Sequence, residues 1–424
     1  MMKEIFIVYL WEHKLLSANL KTVEGEEIEV IFPGFRNQDA GPDFSNARVK
    51  IGTTIWAGNV EVHLNASDWY KHHHQSDPVY DNVILHVVYS ADKDVYRANR
   101  QKIPCLEVKG RFDEKLLLKY RSFIDSKRWI ACENLLGSVQ RFTWMSWLDR
   151  MVAERLEDKL EATLALLKKT DNDWEETFYH RLLLNFGFKT NDLPFGRLAQ
   201  ILPFNLLLRH ADQLLQLEAL LFGQAGMLNT PFIDAYPIQL KKEYHFLSKK
   251  YDLKPMEASA WRFLRMRPAN FPTIRLAQLA SIIHENGRIF SGILASNDIN
   301  DIRKLFSAKA STYWDTHYRF DKPSKPKIKQ MGNNAIDLLI LNTVVQLIFT
   351  YGRYHGNEQY TDRALLLLEA LQPENNQITR KFENAGIKAV NALQSQALLH
   401  LKSEYCNPKR CLDCRIGNLL INSS

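Results

Sequence analysis

Two carboxylates and a histidine fall close together near the N-terminus. Asp43 lies in Gly41-Pro-Asp-Phe44, and Glu61, 18 residues on, lies with His63 in Gly58-Asn-Val-Glu-Val-His63. Two acids from neighbouring strands are the hard oxygen ligands that Mg²⁺ or Mn²⁺ takes, with waters completing the shell. Such an ion acidifies a bound water and offsets charge on a phosphate. Alternate residues of a strand share a face, so Glu61 and His63 project together. Gly52-Thr53 between the two segments predicts a hairpin. A three-residue turn over 52–54 sets Asp43 beside His63 and Ser45 beside Glu61. A two-residue turn sends Asp43 to the other face unless a bulge compensates. Asp81 with Glu107-Val-Lys109 is a rival acid set, but only Asp43 and Glu61 are joined by a hairpin.

Six of the 13 histidines precede position 87: His13, His63, His72, His73, His74 and His86. With Asp43, Glu61 and Asp77 they offer a transition-metal site of the His/carboxylate type. The competing reading makes His72 and His73 a solvated turn. It makes His86, inside Val83-Ile-Leu-His-Val-Val-Tyr89, a core residue.

A second constellation lies near the C-terminus. Cys406, Cys411 and Cys414 have the spacing C-x4-C-x2-C. Zinc needs a fourth ligand, as does a cubane iron–sulfur cluster, and Cys132, Cys105 and His400 are the candidates.

The elements that must position these residues change along the chain. Short runs rich in Val, Ile and aromatics at 28–32, 47–51, 54–64, 83–89 and 103–108 predict strands. Beyond about residue 112 helical spacing takes over, most clearly over 146–169. The expectation is an α+β protein. A small mixed α/β module over 1–130 precedes a helical domain over 131–320, a basic proline-punctuated linker over 321–330, and a C-terminal helical segment over 331–424 that carries the cysteines.

The 424 residues are 46% hydrophobic and 24% charged, which excludes a disordered, collagenous or coiled-coil chain. The net charge of +7 permits a polyanionic partner without requiring one. No P-loop, dinucleotide fingerprint or Ser-His-Asp signature is present. No uninterrupted apolar run approaches a membrane span, and the cysteines are odd in number and clustered. The expectation is a cytoplasmic protein with reduced thiols and no membrane partner. Arg262, Arg265, Arg267 and Arg275, interleaved with Trp261, Phe263 and Phe271, suit phosphate contact and base stacking, so DNA or RNA is the candidate partner. The alternative pairs these arginines with acids on neighbouring helices.

Pro42-Asp43 followed by Glu61-x-His63 resembles the PD-(D/E)XK nuclease motif over roughly the first 110 residues. The resemblance implies a restriction-endonuclease-like module, a Mg²⁺ or Mn²⁺ ion on Asp43 and Glu61, and a helical Glu, for which Glu12 is the candidate. The chain departs from the motif in placing His63 where the superfamily has Lys. A neutral imidazole orients a water but does not replace a fixed ammonium. Some of these nucleases clamp their core with one distant Cys and three near the C-terminus, which points to Cys132 as the fourth thiol. The whole chain is also similar to a bacterial family of unknown function, through Gly41-Pro-Asp-Phe44, Gly58–His63, Ser67-Asp-Trp69, Glu218–Gly226 and Arg267–Pro272. Two functions follow as expectations: a metal-dependent nuclease-like hydrolase, or a non-catalytic binding or scaffold protein on a degenerate nuclease fold.

Overall fold

A computed structural model describes residues 2–37, 39–296 and 298–423. The protein is of the α+β type, with a sheet and a helical region. It divides into two compact units. The first comprises Met1–Trp147, Asn384–Ile387 and Leu401–Ser424; the second comprises Leu148–Glu383 and Lys388–His400. The C-terminal residues thus join the N-terminal module instead of a separate helical segment. The segment expected to be a linker lies inside the second unit, where His317–Arg319 pairs with Lys322–Pro323. Lys329 there is buried, its ammonium bonded to the carbonyls of Asp315 and Lys327.

The first unit opens with helix α1 (Glu4–Glu12), whose residues Phe6 to Trp11 are all buried. A seven-stranded sheet follows: β1 (Leu20–Lys21), β2 (Glu27–Phe32), β3 (Phe35–Arg36), β4 (Phe44–Ile51), β5 (Thr54–Asn65), β6 (Val83–Ser90) and β7 (Cys105–Glu107). The order is β1-β2-β4-β5-β6-β7, with β3 on β4; pairing is antiparallel up to β5 and parallel from β5 to β7. The parallel step needs a crossover, supplied by α2 (Asp68–Lys71) and two 3₁₀ turns, His74–Ser76 and Pro78–Tyr80. Ile7, Val8 and Trp11 of α1 pack with Phe44, Val49, Val60, Val62, Leu85 and Leu106. A second cluster joins Trp69, Tyr80, Val83, Val88, Ile103 and Cys105.

Gly58 fixes how closely β5 approaches its parallel neighbour. A Cβ there would stand 2.5 Å from Ile84 Cγ2 and 2.6 Å from the Asn82 carbonyl. Only glycine allows that contact.

In the second unit, helix Pro272–Asn286 is buried from Pro272 through Ile283 and makes contact with Leu214–Gln224. The helix expected over 146–169 is two, Arg141–Asp158 and Leu160–Lys169. Helix Asn333–His355 is long and apolar enough to cross a membrane, with a hydropathy of 1.6, yet 72% of that stretch is buried in the fold. Helical spacing at 334–352 predicts this helix; Asn333, Asn334, Asp337, Asn342, Thr343 and Gln346 interrupt its apolar run.

Candidate functional site

The β4–β5 hairpin turns through two residues, since Ile51 pairs with Thr54. That corrects the three-residue turn. Asp43 would then face away, but the register shifts by one between Phe44 and Ala47, where Asn46 takes a left-handed backbone (φ 56°). The bulge restores the face: Phe44 pairs with Val60, which sets Asp43 opposite Glu61 rather than His63. The Asp43 N–H donates to Glu61 Oε2 (3.2 Å), and the Val62 N–H donates to Asp43 Oδ2 (2.9 Å).

Histidines crowd these acids. His63, 1% exposed, lies 3.5 Å from Glu61 Oε1 through Nε2. His63 Nδ1 meets His86 Nε2 at 2.8 Å, and His63 Nε2 meets His72 Nδ1 at 3.1 Å. His74 Nε2 stands 3.3 Å from Glu61 Oε1. One ring nitrogen from each of His63, His72 and His74 lies within 4.8 Å of the others. His73 adopts a left-handed backbone (φ 61°), which sends its own ring outward and turns its two neighbours toward the hairpin. The His74 ring stacks on Tyr80 at 3.8 Å and meets the edge of Trp69 at 5.3 Å.

The helical acid beside this cluster is Glu4, not Glu12. Glu4 opens α1 and acts electrostatically on Asp43, Asp68, His72 and His74. Glu12, two turns further on, points to Arg36 (3.5 Å), which also binds Asp413 at 2.8 Å. Burial, and for Asp43 also the facing Glu61 carboxylate, holds both hairpin acids well above the usual carboxylate range. Burial, then Asp43, pushes Glu4 up to about 7. Burial, then His86 and the other imidazoles, takes His63 down to about 2, so its ring is neutral at any ordinary pH. The site therefore packs three crowded acids among imidazoles, an arrangement that a divalent cation would relieve. The buried His74 Nε2 makes no hydrogen bond beyond its 3.3 Å approach to Glu61 Oε1, an orientation open to a ligand role. Three imidazoles and a carboxylate make a donor set for a transition ion such as Mn²⁺ more than for Mg²⁺. Glu107 and Lys109 of the rival set are exposed on or beside β7.

The remaining candidates separate. Cys132, Cys406, Cys411 and Cys414 lie within electrostatic reach of one another. Cys105 sits in the sheet core, and His400 faces Glu154 in the second unit. Arg262, Arg265 and Arg267 are exposed. Arg275 is not a surface group: it is 5% exposed, donates to Gln278 Oε1 (3.0 Å) and Asn270 Oδ1 (2.8 Å), and lies 4.5 Å over the Phe188 ring. Trp261 is buried too, donating to the Ala225 carbonyl at 2.8 Å.

Fold and site thus define an α+β protein whose sheet unit carries a partly buried cluster of acids and histidines. The chain belongs to the DUF2851 family, described as proteins of unknown function, with residues 4–377 matched. No curated protein and no solved structure matches it.

Proposed function

We propose that the first unit is a metal-dependent phosphodiesterase of the nuclease type, built on a restriction-endonuclease-like core and acting on DNA or RNA. The observation that carries this reading is the convergence of Asp43 and Glu61 from one hairpin with Glu4 from the preceding helix, beside three imidazoles within 4.8 Å of one another. Asp43, Glu61, His63, His72 and His74 would hold the ion. Bound there, it would acidify a water and neutralise phosphate charge. Glu4, at a pKa near 7, can accept a proton from an attacking water at neutral pH. His63, neutral and fixed by His86, serves as a ligand or acceptor and not as the ammonium of a Lys. Exposed Arg262, Arg265 and Arg267 supply phosphate contacts on the second unit.

That same engagement of His63 favours a second reading, a degenerate site on a non-catalytic scaffold. Purified protein assayed with Mn²⁺ on single- and double-stranded DNA and RNA separates the two. Cleavage abolished by Asp43→Asn supports the enzyme. Absence of cleavage on every substrate with Mn²⁺, Mg²⁺ and Zn²⁺ removes it and leaves the scaffold.

A further inference from the structure

We propose that a cleft in the second unit binds a nucleoside phosphate, with the phosphate toward Arg155 and Lys159 and the base on the Phe188 ring. The cleft encloses about 700 Å³, a volume that suits a ligand of nucleotide size. Helices Arg141–Asp158, Trp174–Phe186 and Asn333–Leu339 bring Arg155, Asn185 and Leu338 to its walls. All its lining residues belong to the second unit. The cleft shares no residue with the acid–histidine cluster and stands whatever becomes of the phosphodiesterase reading.

Two backbone irregularities meet at this cleft. Ile340–Val344 is a π turn, a rare form that recurs at functional sites, and Asn342 within it lines the cleft. The Asn185 amide donates to the Asn342 carbonyl (3.0 Å) and to Thr343 Oγ1 (2.8 Å), which holds the turn in that shape. Phe188 and Lys189, also in the lining, are both left-handed, at φ 46° and 67°. Side chains other than glycine hold such a backbone only where their surroundings enforce it, and they cluster at binding sites. Gly187 before them admits no side chain, since a Cβ there would meet the Asp192 nitrogen at 2.1 Å.

The charge around the cleft favours an anion. Arg155 lines both the cleft and a small chamber beside it, where Lys159, Gln346 and Gln396 join it. Arg155 Nε donates to Gln396 Oε1 (2.7 Å), and Gln396 Nε2 donates to Glu374 Oε2 (3.0 Å). Glu374 also accepts from Asn376 (3.1 Å), and Asp192 accepts from the Leu193 N–H (2.9 Å), so both acids of the lining are already hydrogen-bonded. Arg155, Lys159 and Lys189, with Arg181 acting on Lys159, outnumber them. Burial, then Arg155 and Arg181, takes Lys159 down to about 8, a penalty that a bound anion would offset. Gln346 is 5% exposed, yet its Nε2 has no hydrogen-bond partner. A buried donor left in that state is costly, and an oxyanion admitted to the chamber would satisfy it. Phe188 supplies the platform. The Arg275 guanidinium lies 4.5 Å over its ring, and the ring lines the cleft, where a base stacks on an aromatic face whatever its identity.

The test is isothermal titration of the full chain, in EDTA, with AMP, GMP, CMP, UMP and inorganic phosphate. EDTA keeps a metal at the acid–histidine cluster from capturing the phosphate, so the outcome does not hinge on the phosphodiesterase reading. At least one nucleotide should bind saturably and more tightly than inorganic phosphate. Lys159→Gln should weaken that binding about 10-fold, and Phe188→Leu several-fold. Lys189→Gln, at an exposed position, should weaken it too, while Arg262→Glu leaves it unchanged. No saturable binding of any of the four nucleotides to the wild type overturns the proposal. Inorganic phosphate bound as tightly as the best nucleotide also overturns it. A nucleotide held equally well by the Lys159, Phe188 and Lys189 variants rules out this cleft as its site.

Discussion

Asp43 and Glu61 hold each other in place through each other's backbone. The Asp43 amide caps the Glu61 carboxylate, and the amide following Glu61 caps the Asp43 carboxylate. Two like charges are thereby brought face to face with little solvent to separate them. Such a pair costs stability until a cation joins it.

Removing one charge should therefore stabilise the metal-free protein. Asp43→Asn and Glu61→Gln should each raise the melting temperature in EDTA by about 2–4 °C. Both should abolish the rise that Mn²⁺ gives the wild type. Differential scanning fluorimetry with and without Mn²⁺ reads both effects. A fall in EDTA would mean that a cation of the protein already balances the pair.

The pH dependence has a definite sign. Asp43, Glu61 and Glu4 have folded pKa values raised above their unfolded ones. The stability their protonation adds is full below the unfolded values near ~4 and is lost as pH rises through about 7 to 8. His63 and His86 are depressed, so their effect runs the other way but is complete above an unfolded value near ~6.5. Between pH 6.5 and 8 the effect of His63 and His86 is complete, and the raised carboxylates, Glu218 of the second unit among them, set the slope. In EDTA stability should fall with rising pH across that window; with Mn²⁺ the fall should vanish or reverse.

Glu4 and Glu12 should part in function. Glu4→Gln should lower Mn²⁺-dependent cleavage at least about 10-fold. Glu12→Gln should leave the rate within twofold, because that acid serves Arg36. Equal losses would show that the whole helix, and not its first acid, matters.

His74 offers a direct probe of the ion. His74→Ala should weaken Mn²⁺ binding about 10–100-fold by isothermal titration. His73→Ala, one residue away with its ring outside, should not.

The arginines give a further contrast. Arg262→Glu, Arg265→Glu and Arg267→Glu combined should weaken nucleic-acid binding and flatten its salt slope by about 0.7–0.9 per phosphate lost. Arg275→Met should instead destabilise the fold by about 1–3 kcal/mol, since Gln278 and Asn270 lose a buried donor.

Much of this was legible in the residues. Alternation and Gly52-Thr53 located β4 and β5, and the acid pair stood out by its spacing. What escaped depends on single backbone choices or on distant contacts. The Asn46 bulge moves Asp43 from one partner to the next, and no local pattern demands it. Glu4 and Glu12 are both acids of one buried helix; which end meets the hairpin is decided by packing. His72 read, with His73, as a solvated turn; its meeting with the His63 ring depends on the backbone of the crossover, where His73 is left-handed. Arg275 carries a charge, and only its three polar and aromatic neighbours reveal that it is core.

The first unit is assembled from segments on either side of the second in sequence, and this orders events on the ribosome. Asp413, which steadies Arg36, and Tyr405, whose ring meets Trp147 at 5.4 Å, are translated after every residue of the second unit. The nascent sheet and its hairpin can form early, but the guanidinium facing Asp43 gains its second anchor only when synthesis has passed residue 413. The second anchor of Arg36 thus waits until residue 413 has been translated. A nascent chain stalled before residue 400 would carry the two hairpin acids without the tail that completes their surroundings.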